Sequence, residues 1–150
     1  MSHSFCNHIY HIVFSTKTHI QWLNNEIRPR IHAYLGGAIR DQGGIALIIG
    51  GVADHVHVLA KLRQDKAISD VIRCIKANSS QWIHKTFARC EDFNWQAGYA
   101  SFSVSASQVE RVRRYIESQE EHHKKISFKE EFIKLLKRHG LEFTEEYLWK

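Results

Sequence analysis

Hydrophobic positions along the 150-residue chain switch between a two-residue and a three-to-four-residue period, and the switches mark its elements. Ile9 to Phe14, with His8, Tyr10 and Ser15 in or beside it, is an apolar and β-branched run that reads as a first strand. A polar loop from Thr16 to Trp22 follows. Asn24 or Asn25 can then cap a helix in which Pro29 sits early, where a missing N–H costs little. Ile27, Ile31, Tyr34, Leu35 and Ile39 give that helix one apolar stripe. Gly36 and Gly37 weaken it, and Gly43-Gly44 ends it. Ile45 to Ile49 predicts a second strand, Gly50 to Asp54 a Gly-rich turn, and His55 to Leu62 the returning strand of a hairpin. A helix from about Lys66 to Phe87 buries Ile68, Val71, Ile72, Ile75, Trp82 and Ile83. Asn94 to Ser105 reads as a fourth strand.

This order, β-α-β-β-α-β, is the split βαβ arrangement of an α+β ferredoxin-like fold, with two helices over one face of a four-stranded antiparallel sheet. The opposite face must be covered or used, and alternation places the valines around His55 and His57 on the helix-covered side. Beyond the sheet a helix is expected from about Ser107 to Lys125, capped by Ser105 or Ser107. A turn near Ile126-Ser127 leads to a final helix, Phe128 to His139, stopped by Gly140. Leu141 to Lys150 carries Phe143, Tyr147, Leu148 and Trp149 and is too apolar for a free tail; it should pack on this chain or on a second copy. Residues 1–150 read as one domain, without repeats, low-complexity tracts or linkers.

Composition narrows the setting. Three dispersed cysteines form neither a disulfide framework nor a zinc ribbon, no signal peptide is visible and no apolar run reaches membrane-spanning length, so a cytoplasmic protein is expected. A net charge of +5 is compatible with a polyanionic partner.

The candidate chemistry starts at His55-Val56-His57. On a strand both imidazoles point the same way and form a half-site for a divalent cation. Chance is the rival account, because the chain holds eleven histidines. Tyr115 and Gln119, four residues apart on the helix after the sheet, share one side about 6 Å apart along the axis. His122 and His123 extend that flank, and Arg111, Arg113, Arg114, Lys124 and Lys125 surround it. Such a set suggests attack by a phenolate on a phosphodiester. A cation on His55 and His57 would polarise the phosphate, and Gln119 would offer a neutral third ligand. Helical spacing by itself leaves a packing role for Tyr115, its hydroxyl in water.

His55-Val56-His57 on a strand of this order, followed by Tyr115-x-x-x-Gln119 on a later helix, resembles the single-tyrosine HUH transposases. More narrowly, Asp54 to His57, Gly98 to Ser103 and Tyr115 to His123 resemble the REP-associated tyrosine transposases and their insertion-sequence relatives, with similarity from about Tyr10 to Trp149. The resemblance implies Mg²⁺ or Mn²⁺ bound by His55, His57 and Gln119. It also implies a Tyr115 nucleophile that forms a 5′-phosphotyrosine link and releases a 3′-hydroxyl. The implied substrate is single-stranded DNA beside an imperfect hairpin, and the implied assembly is a homodimer whose tyrosine helix can complete the partner's site. The implied fold is the one derived above. Thr16-Lys17 continues here with Thr18-His19, where relatives often carry an arginine at the second of these positions.

A basic groove for a single strand could draw on Lys17, Lys61, Arg63, Arg73, Lys76 and Arg114, with Trp22, Trp82 or Trp95 as stacking groups. Packing competes as the account of Trp82 and Trp95, and a solvated helix face as that of Arg73 and Lys76. The reading reached is a metal-dependent DNA transposase. The alternatives are a ferredoxin-like nucleic-acid-binding module without catalysis or a domesticated regulator, and last a phosphodiesterase, for which no pair of H-x-[ST] motifs stands on matched strands.

Overall fold

A computed structural model of the chain describes residues 3–148. Four strands, β1 (His8–Ser15), β2 (Ile45–Val52), β3 (His55–Leu62) and β4 (Ala100–Val104), form one sheet in the order β2-β3-β1-β4, with every neighbouring pair antiparallel. β3 lies between β1 and β2, as the split βαβ order predicts. Helices α1 (Arg28–Asp41) and α2 (Ile68–Thr86) cover one face. There Ile12 and Phe14 of β1 and Val56, Val58 and Ala60 of β3 pack with Ile31, Leu35, Ile72 and Ile75 in the main core.

The second face, which carries the histidines, is roofed by the C-terminal third of the chain. α3 (Val109–Glu117) sets Ile116 against Ile9 and Leu59. A single-turn helix, α4 (Gln119–His122), follows it, and then α5 (Phe128–Arg138). Phe128, Phe132, Leu135 and Leu136 of α5 pack on Val13, Ala100 and Phe102. The last short helix, α6 (Glu145–Leu148), adds Leu148 to that cluster, with Phe143 beside it. Phe143 and Leu148 of the apolar tail therefore pack on their own chain, while Leu141 and Tyr147 are exposed; Trp149 lies outside the described residues. No described helix is long and apolar enough to cross a membrane.

Several local expectations are corrected. Gly50 to Val52 is strand rather than turn, and the hairpin closes over Ala53-Asp54 alone. Both glycines answer close approaches. Gly51 has φ +143°, and a Cβ there would lie 2.2 Å from the His55 carbonyl oxygen; a Cβ on Gly50 would lie 2.6 Å from that of Ile116 in α3. The fourth strand starts only at Ala100, with Trp95 joined by an isolated bridge to Thr16. The expected helix over 107–125 begins as a 3-10 turn, Ala106–Gln108, and breaks at Ser118. Ser118 Oγ donates to the Tyr115 carbonyl (3.0 Å), a back-bond that bends helices. Neither Ser105 nor Ser107 caps it through its side chain. Asn24, not Asn25, opens the turn into α1, accepting from the Glu26 and Ile27 amides at 3.0 and 3.1 Å.

Candidate active site

Strand alternation brings His55 and His57 to the roofed face, and both are fully buried. Each is oriented from behind. His55 Nδ1 donates to Asp54 Oδ1 (2.7 Å), and His57 Nδ1 is hydrogen-bonded to His11 Nε2 (2.8 Å) across the β1–β3 pair. Both Nε2 atoms consequently face the space under α4 and α5. Fixing the far ring nitrogen is how proteins orient metal-binding imidazoles.

Gly50 is opposite His57 in the β2–β3 register, so the lack of a Cβ there lets α3 settle directly over the pair. Arg113 secures that seat by donating to the Leu47 carbonyl (3.0 Å) at a β-bulge in β2. Tyr115 consequently reaches the site within one chain, its ring centroid 5.7 Å from that of His57. Gln119 Oε1 lies 3.0 Å from His55 Nε2 and 2.9 Å from His123 Nε2. The expected quartet of His55, His57, Tyr115 and Gln119 is thus brought together.

A fifth group, Glu131 of α5, stands at the centre and escaped the sequence reading. One of its oxygens accepts from His57 Nε2 and His123 Nε2, each at 3.0 Å, and lies 3.3 Å from His55 Nε2. The other accepts from Gln119 Nε2 (2.8 Å) and from the Tyr115 hydroxyl, and lies 3.3 Å from His122 Nε2. A signal existed. Glu131 falls on the helical stripe Phe128, Phe132, Leu135, Leu136, where it is the one acid among buried apolar residues. His11, a polar side chain inside the buried run of β1, was the other missed residue.

The electrostatics follow from this packing. Burial alone would raise the Glu131 pKa, but hydrogen bonds from His123, His55 and His57 outweigh it and hold the carboxylate ionised. Burial lowers His55, yet hydrogen bonds to Asp54 and Glu131 dominate together and push it up to about 9. For His57 burial prevails, and its pKa falls to about 4. Burial and the neighbouring Glu131 charge raise the Tyr115 phenol well above its ordinary value, so Tyr115 rests as the neutral donor to Glu131. His55 Nε2, His57 Nε2 and a Glu131 oxygen lie within 4.8 Å of one another, and His122, His123 and Glu131 form a second such group. Two imidazole nitrogens and a carboxylate, with the Gln119 carbonyl beside them, suit a divalent cation.

The expected DNA contacts are scattered. Arg73 and Lys76 are on α2, across the sheet from the site. Arg73 pairs with Asp70, and Arg63 with Asp65 (2.6 Å). Lys76 departs from its expected role. Its ammonium turns inward, donating to the Gln96 and Gly98 carbonyls, each at 2.7 Å, and thereby holding the loop before β4. Lys17 and Arg114 are exposed. The tryptophans pack: Trp82 stacks on Tyr34 (4.5 Å), Trp95 meets Phe14 and Phe93 edge-on, and Trp22 packs near Phe93.

Comparison with known proteins agrees with this geometry. The family described as "Transposase IS200 like" matches residues 4–119, which include both histidines, Tyr115 and Gln119 and stop short of Glu131. The ISDra2 transposase TnpA of Deinococcus radiodurans is 24% identical over 115 residues, 73% of this chain and 82% of that protein. The crystal structure of a protein described as a transposase from Deinococcus radiodurans R1 superposes with a TM-score of 0.67 at 21% identity, covering 79% of this chain and 95% of its own. A REP-associated tyrosine transposase solved with a REP hairpin gives a TM-score of 0.54 at 13% identity, over 79% of this chain and 70% of its own. With more than three quarters of its length matched and the same fold in both structural relatives, the chain belongs to the IS200-like transposase family.

Proposed function

We propose that this transposase is a metal-dependent single-strand DNA endonuclease and strand transferase that cleaves beside a hairpin through a covalent tyrosyl–DNA intermediate. The observation that carries the reading is the convergence, in one chain, of Tyr115, Gln119, His55 and His57 on one buried centre. The relative solved with a REP hairpin supports the choice of substrate. Mg²⁺ or Mn²⁺ would be held by His55, His57 and Gln119, with Glu131 adding an anionic ligand that offsets its charge. When bound, the cation polarises a non-bridging phosphate oxygen and aligns the bond for in-line displacement.

Tyr115 Oη attacks the phosphorus as its proton is lost to water, the hydrogen bond to Glu131 having held the phenol at the site until then. The bond from phosphorus to the 3′ oxygen breaks, and that oxygen takes a proton from water and departs as a 3′-hydroxyl. The 5′-phosphotyrosine ester conserves the energy of the broken bond, so an incoming 3′-hydroxyl can reverse the step and join a new strand. Action of residues 1–150 as one domain, expected from length and the lack of a linker, and assembly as a homodimer, carried by the resemblance, belong to the same reading.

The test is a covalent adduct. Hairpin-bearing single strands from the flanks of the gene, incubated with Mg²⁺ or Mn²⁺, should yield a protein–DNA species stable on a denaturing gel. Tyr115→Phe should abolish it, and His57→Ala should reduce it by about a hundredfold, the upper end of the loss seen even for residues that only support a metal ligand. No adduct from the wild-type chain, or an adduct from Tyr115→Phe, overturns the reading.

A further inference from the structure

Tyr115 also forms one wall of a cleft of about 450 Å³ bounded by α3, β4 and α5, a size that suits a small-molecule-sized group. The cleft has a ring platform: the exposed His139 ring lies face to face on buried Phe102, centroids 4.0 Å apart and planes 11° from parallel, with its outer face open. Arg111 and Arg138 line it as exposed side chains, and neither makes an ion pair or a hydrogen bond among the described residues. Gln108 adds an amide that can both donate and accept. The cleft on the α2 side differs in this respect, because its cations Arg73 and Lys76 are already engaged.

We propose that the cleft seats the nucleotide flanking the scissile phosphate, its base on the Phe102–His139 platform and its backbone phosphates on Arg111 and Arg138. The assignment rests on the single-strand transesterase reading and deepens it. Aromatic platforms take any base by its face, and guanidinium groups take phosphate oxygens in pairs. The Tyr115 ring joins the cleft to the buried centre, so a strand lying here passes the nucleophile. Gln108, at the start of α3, faces the base edge and gives the cleft a means of preferring one base over another.

The experiment uses the metal-free 150-residue chain and hairpin-bearing strands with 5-iododeoxyuridine scanned through the single-stranded flank. After irradiation, crosslinks should map to peptides containing Phe102, Tyr115 or His139. Arg111→Ala with Arg138→Ala, both surface changes, should lower the salt slope of strand binding by about 1.4, the value for two phosphate contacts on a single strand. Crosslinks confined to other surfaces, or an unchanged slope, overturn the cleft. The adduct assay separates the two ideas. Adduct formation with crosslinks elsewhere removes the cleft and keeps the transesterase, whereas crosslinks in the cleft without any adduct remove the transesterase and leave a strand-binding site.

Discussion

At Glu131 a single carboxylate meets His57 and His123 through one oxygen and Tyr115 and Gln119 through the other. A charge so buried persists only when its neighbours donate to it, as His57, His123, Gln119 and Tyr115 do here. Removing it leaves His55 with Asp54 as its remaining anionic partner and opens a polar void. Glu131→Ala should therefore cost the metal-free chain about 3 kcal/mol in urea unfolding. It should also weaken Mn²⁺ binding, read by calorimetry. An affinity unchanged in Glu131→Ala would remove Glu131 from the ligand set. His11 acts one step further out, holding the His57 ring by its far nitrogen. His11→Ala should weaken Mn²⁺ binding about tenfold, the usual loss for such support. Equal affinity in that variant would mean that His57 is held by packing alone.

Among the elements, α3 decides whether the nucleophile arrives. Its seat depends on Gly50, because an added side chain would meet the backbone of Ile116 rather than a yielding side-chain end. Gly50→Val should cost about 1–3 kcal/mol, the range for overpacking, and abolish adduct formation while far-UV circular dichroism stays near wild type. Full activity in that variant would show that α3 can shift without moving Tyr115 off the site. α5 completes the roof by the simpler means of an apolar stripe on Val13, Ala100 and Phe102, capped by Ser127, whose Oγ accepts from the Glu130 amide (3.2 Å). The Ser118 break between α3 and α4 was not foreseen, since Val109, Val112 and Ile116 keep one periodic stripe and only a side-chain hydroxyl interrupts the ladder.

The whole molecule buries several imidazoles, and this sets its response to acid. Burial, followed by the Arg28 charge, lowers His32 from 6.5 to about 4, and its Nε2 has no hydrogen-bond partner. Burial likewise lowers His11 to about 3. A depressed histidine binds its proton more readily in the unfolded chain. Its contribution is complete above pH 6.5 and is lost progressively as the pH falls toward the folded value. Metal-free protein should therefore lose stability between about pH 6.5 and pH 4. His32→Leu should flatten that decline while leaving stability at pH 7.5 little changed. Parallel pH curves for the two proteins would show that His32 does not titrate across unfolding. The opposite case is His55, raised by its carboxylate partners and remaining charged through this window.

The β-α-β-β-α-β order, the face shared by His55 and His57, and the Tyr115–Gln119 pair were legible from periodicity, because side-chain direction on a strand or helix is a local property. So was the packing of Trp82, on the helical stripe of α2, and of Trp95, expected against the sheet. Glu131 was legible only in part: its stripe was periodic, but which partner α5 would meet is a matter of how the third layer docks. The same holds for His11, whose role appears only in the register between β1 and β3, and for Lys76, drawn inward by loop carbonyls 20 to 22 residues away in sequence. Local pattern thus determined the elements and half of the chemistry. Docking of α3, α4 and α5 over the sheet decided the rest, because it sets which buried charges must neutralise one another.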